Sequence, residues 1–138
     1  MTAKEYLKQA RYLDLSIDAK LVQVSSLREL ATKATSTIND VPVSYTSNNH
    51  QMEDIVVKIL MLENEINSDI DRLIDLKNNI LNIIKNIDDD EGKLLLEKRY
   101  LNLEPWEKIA SEMCCGIDNV YKIHKRALKK IKIPKTLQ

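Results

Sequence analysis

Apolar side chains recur at alternating three- and four-residue steps through residues 3–38. The positions are Ala3, Tyr6, Ala10, Leu13, Ile17, Val24, Leu27, Ala31, Ala34 and Ile38, with Lys20 as the polar break. A second segment repeats the pattern at Met52, Ile55, Ile59, Leu62, Ile66, Leu73, Leu76, Ile80, Ile83 and Ile87, broken by Asp69. Neither contains Pro or Gly. Seams of this length predict two coiled-coil-like helices of about 35 residues, each roughly 50 Å long.

Residues 39–50 separate the two seams. Pro42 and the surrounding Ser, Thr and Asn residues predict a break there, short enough to return the chain antiparallel. If Ile38 faces Met52, Lys20 and Asp69 fall opposite each other and the two seam defects meet as one opposite-charge pair. A register shifted by a heptad would leave each charge against apolar side chains, which is costly. A polar pair in a seam serves register more than stability. The second segment also carries Val56, Leu60, Ile70, Ile74, Leu81 and Ile84 beside its stripe. A two-helix hairpin cannot cover both faces, so the excess is expected to pack on the C-terminal region or on another copy, making the chain a homo-oligomer.

The run Asp88-Asp89-Asp90-Glu91 is an acidic break that could cap a following helix, and Gly92 could mark an inter-domain hinge. Three short helical patterns come next. The first runs from Lys93 to about Asn102, with Leu94, Leu95, Leu96 and Tyr100 as packing candidates. The second, Trp106 to Met113, follows Pro105, a residue suited to a first helical turn. The third runs from Ile117 to about Ile131, after the turn Cys114-Cys115-Gly116 and shortly before Pro134. The expected fold is all-α: a long antiparallel two-helix coiled-coil hairpin over 1–88, then a small helix-turn-helix domain over 89–138.

The formal net charge is zero, but it hides a split. Residues 1–92 hold 10 basic and 16 acidic side chains, whereas 93–138 hold 11 basic and 5 acidic ones. A neutral chain with a basic end points to nucleic acid. Two glycines, at 92 and 116, exclude Gly-rich phosphate loops and argue against a sandwich or barrel of short strands. The adjacent Cys114 and Cys115 lack the spacing of a zinc site and are expected to be reduced thiols. The first residues lack the apolar core of a signal peptide, and no apolar run suits a membrane span. The expected location is the cytoplasm of a bacterial host. No nucleophile–base pair, carboxylate pair or metal-ligand cluster stands out, so no enzyme activity and no cofactor are expected. His124, within a basic helix, is expected to contact phosphate or to pack.

In the second and third patterns Ile109, Ala110 and Met113 face inward, as do Val120, Ile123, Ala127, Leu128 and Ile131. The opposite face of the third helix carries Asp118, Asn119, Tyr121, Lys122, Lys125, Arg126, Lys129 and Lys130. A polar, cationic helix face of this kind suits a DNA major groove. Asn119 could read adenine, and Lys122 a guanine edge or a phosphate. Lys125, Arg126, Lys129, Lys130 and Lys132 suit phosphates.

The stretch Arg99-Tyr100, Leu103, Trp106-Glu107-Lys108-Ile109-Ala110, Met113 and Val120-Tyr121-Lys122-Ile123-His124-Lys125-Arg126-Ala127-Leu128 resembles region 4 of bacterial sigma factors. It is closer still to the small phage and prophage regulators of the ArpU/RinA type. The resemblance covers about 40 C-terminal residues and implies a sequence-specific DNA-binding regulator of phage genes, with double-stranded DNA and host RNA polymerase as partners. The chain is also too short for the promoter-melting domain of a complete sigma factor, so an accessory regulator is expected. Cys114 stands where the family places the turn Gly, which points to positive φ at a cost on the order of 1 kcal/mol. Gly116 stands where Ser or Thr caps the recognition helix. Two other readings stay open: a small-terminase-like packaging protein, and a coiled-coil protein-interaction module.

Overall fold

The computed structural model describes residues 1–40 and 45–135, with the side chains of 35–40 and 45–49 outside that description. The described chain is all-helical. It comprises α1 (Ala3–Asp40), α2 (Tyr45–Lys85), α3 (Asp90–Leu96), a π-helical turn (Glu97–Leu101), α4 (Trp106–Glu112) and α5 (Ile117–Lys130). No described helix is long and apolar enough to cross a membrane.

The long helices exceed their expected bounds. Asp40 ends α1 and Tyr45 begins α2, so most of the expected break at 39–50 is helical. Ser, Thr and Asn each cost only tenths of a kcal/mol in a helix, and propagation from a formed helix is cheap, so the polar run after Tyr45 lies within α2, whereas the expected break at Pro42 lies outside the described residues. Whether Ile38 faces Met52 lies outside the described residues.

The chain divides into two compact units. One is Leu15–Asp71; the other joins Met1–Asp14 to Arg72–Gln138. The expected boundary between 88 and 89 is therefore not where the contacts divide. The reason lies in burial at the outer ends of both long helices: Leu7, Ala10, Ile80 and Ile84 are all fully buried. These ends belong to the same compact unit as the C-terminal helices.

Within the unit 15–71, Ile17, Val24 and Ile66 are buried along the seam. Lys20 Nζ lies 2.5 Å from Asp69 Oδ2, so the two polar breaks meet as their spacing requires. Arg28 Nη2 lies 2.5 Å from Glu63 Oε1. Rising positions on α1 thus meet falling positions on α2. Val56, Leu60 and Ile70, three of the excess apolar side chains, remain exposed.

In the other unit the core combines Tyr6, Leu7 and Ala10 with Ile80, Ile83, Ile84 and Ile87. It continues through Leu95, Leu96, Tyr100, Ile109, Val120, Ile123 and Ala127. Ile84 is covered here as expected for the excess apolar face, whereas Ile74 is exposed. Leu94, a packing candidate, also points outward, because one short helix cannot turn three consecutive leucines to one side.

Asp89 is the N-cap of α3: its carboxylate accepts the Gly92 N–H at 3.1 Å. The acidic run thus caps the helix as its composition suggests. Gly92 is no hinge. It is buried inside α3, where a Cβ would stand 2.9 Å from the Ala127 Cβ of α5. Its missing side chain lets α3 and α5 approach closely. The first short helix then widens into the π-helical turn, closed by Asn102 N–H donating to Glu97 O at 3.0 Å.

Candidate nucleic-acid interface

The turn between α4 and α5 is built from backbone hydrogen bonds. Cys114 N–H donates to Ser111 O at 3.2 Å and Cys115 N–H to Ala110 O at 3.1 Å. This pair of bonds is a Schellman motif, which requires a left-handed residue just past the helix end. Cys114 fills that place with φ 55°. Gly116 then serves as the N-cap of α5 in extended conformation, without a side-chain acceptor.

α5 is strongly two-faced. Val120, Ile123, His124 and Ala127 are buried, and α3 and α4 pack against the helix. Leu128 and Ile131 are half-buried. All eight sequence-identified site residues, Asp118, Asn119, Tyr121, Lys122, Lys125, Arg126, Lys129 and Lys130, are exposed. Among the described residues Lys122, Lys125 and Lys129 have no ion-pair partner.

Arg126 and Lys130 differ from these three. Arg126 Nε donates to Asp89 Oδ2 at 3.0 Å, and its Nη2 reaches Glu91 Oε1 at 3.2 Å. Lys130 Nζ lies 3.7 Å from Asp89 Oδ2. The Gly92 N–H, and then Arg126, hold the Asp89 carboxyl below its usual range.

Behind the exposed face lies an aromatic cluster. Tyr100 Oη stands 2.7 Å from His124 Nε2, and Trp106 meets the His124 ring edge-on at 4.8 Å. Tyr121 packs its ring edge-on against Trp106 at 5.3 Å, and the Arg99 guanidinium lies 4.3 Å from the Trp106 ring centre. Arg99 also donates to Glu104 O at 2.9 Å. This stack fixes α4 against α5 and half-engages Tyr121.

His124 is a packed residue and makes no surface contact. Burial lowers its pKa to about 4, and burial raises the Tyr100 phenol to about 12. The phenol therefore keeps its proton and shares one hydrogen bond with a neutral imidazole, whose tautomer decides which of the two groups donates. The inward position of His124 was legible in the helical period, since it follows Val120 by four residues and precedes Ala127 by three. The acidic grip on Arg126 had no comparable signal, because Asp89 and Arg126 lie 37 residues apart.

The chain matches no protein-family model, and no curated protein or solved structure is significantly similar to it.

Proposed function

We propose that this chain is a sequence-specific DNA-binding transcriptional regulator of phage or prophage genes. On this reading α4, the Cys114 turn and α5 form a sigma region 4-like helix-turn-helix, with α5 lying in the major groove. α1 and α2 form an antiparallel coiled-coil hairpin that joins copies of the chain. The carrying observation is the two-sidedness of α5: one face is buried, and the other exposes Asn119, Lys122, Lys125 and Lys129 together.

The chemistry divides along the helix. Asn119, in the first turn, has the donor–acceptor pair that adenine requires, and Lys122 reaches a guanine edge or a phosphate. Lys125 and Lys129 supply phosphate contacts, which orient the helix and strengthen binding without reading sequence. Two or more modules on one assembly would select repeated half-sites. Contact with host RNA polymerase follows from the family resemblance alone.

Mapping the chain's binding sites on phage and host chromosomes tests the proposal. Sites clustered beside promoters, with a reporter responding to the intact chain, support regulation. Sites confined to packaging sequences, with no reporter response, support the small-terminase-like reading instead.

A further inference from the structure

We infer that Asp89 and Glu91 act as an internal substitute for DNA phosphates, so that the acidic turn and the duplex compete for Arg126. The inference rests on the DNA-binding reading and adds a control to it.

A guanidinium held by oxygens of two carboxylates has the kind of partner set that it finds on a DNA backbone. Arg126 Nε is 3.0 Å from Asp89 Oδ2, and Nη2 is 3.4 Å from Asp89 Oδ1 and 3.2 Å from Glu91 Oε1. Lys130 Nζ approaches the same Asp89 oxygen at 3.7 Å. Asp89 is fixed for a separate reason, since its Oδ1 caps α3 through the Gly92 N–H. Arg126 and Glu91 are the movable members, with side chains 51% and 55% exposed. The Arg126–Glu91 pair is exposed on both sides and contributes little net stability, so a phosphate can displace it first and then compete for the guanidinium with Asp89.

α5 therefore carries two kinds of cation. Lys122, Lys125 and Lys129 face solvent without an ion-pair partner among the described residues and meet the duplex at first encounter. Arg126 engages only when a phosphate comes close enough to outcompete two carboxylates. Its release leaves those carboxylates beside the DNA, which opposes loosely fitted complexes.

A double-mutant cycle on the full chain tests this, read by fluorescence anisotropy with a labelled duplex at low salt. The forms are wild type, Glu91→Gln, Arg126→Ala and the double variant, with Lys122→Ala made in both the wild-type and E91Q backgrounds. Asp89 is left intact to preserve the cap. Glu91→Gln should tighten binding about 2–5-fold. Arg126→Ala should cost more affinity in the E91Q background than in wild type, while Lys122→Ala costs the same factor in both. If Lys122→Ala weakens binding but Glu91→Gln and Arg126→Ala are additive, DNA binding stands and the competition is overturned. No duplex binding by any form overturns both.

Discussion

Tyr100 Oη and His124 Nε2 meet at 2.7 Å inside the C-terminal core, where both side chains are buried. The pair is a neutral hydrogen bond with a pH limit. An unfolded His124 would take a proton near pH 6.5, whereas the folded one resists until about 4. Between those values the unfolded state binds more protons, so stability falls as pH falls. Thermal melting from pH 7 to 4 should show a loss of roughly 2–3 kcal/mol from this group. His124→Phe should flatten the profile in that window.

Tyr100→Phe removes the hydroxyl and leaves the buried His124 nitrogen unpaired. A buried polar group without its hydrogen-bond partner costs about 1–3 kcal/mol. Chemical denaturation at neutral pH should show that loss. No loss would mean that the hydrogen bond adds nothing to the core.

Gly92→Ala should destabilise the chain, against helix propensity. On an open helix face the change gains up to about 1 kcal/mol. Here the new Cβ would stand 2.9 Å from Ala127 Cβ and 2.7 Å from Asp89 Oδ2. Overpacking of this kind costs about 1–3 kcal/mol. Denaturant unfolding of the single variant measures the sign.

The α4–α5 turn offers two stabilising changes. Cys114→Gly relieves a left-handed φ of 55° and should add up to about 1 kcal/mol. Gly116→Ser supplies the missing cap acceptor where a new Cβ meets no atom within 4 Å, for a few tenths of a kcal/mol. Melting of the two single variants and their combination checks both signs.

Lys20→Met should cost about 1–3 kcal/mol, because it removes a cation 2.5 Å from a buried Asp69. The paired change Lys20→Met with Asp69→Leu should recover most of that loss. Comparing the oligomeric state of the double variant with wild type by light scattering shows whether the pair also fixes register.

Local pattern carried much of the architecture. Heptad spacing placed the long helices and brought Lys20 to Asp69, because an unbroken three- and four-residue period leaves few registers that bury both charges together. The Asp89 cap and the strained Cys114 were also legible, since each is a property of a few consecutive residues. The coarse orientation of α5 followed from its period in the same way. Features set by distant packing were not legible. The joining of Leu7 to the C-terminal unit, the close approach of Gly92 to Ala127 and the grip of Asp89 on Arg126 all depend on partners dozens of residues away. The π-helical turn at Glu97–Leu101 left no composition signal.

Equilibrium binding to a labelled duplex across a salt series, with wild type beside the Lys122→Glu/Lys125→Glu variant, tests the central claim most directly. Wild-type affinity should fall steeply and log-linearly with salt as counterions return to the phosphates. The charge-reversed chain should bind about 100-fold more weakly at low salt, with unchanged helicity and melting. Wild-type chain that leaves the duplex free in dilute buffer, or a variant that binds as well as wild type, would contradict the account.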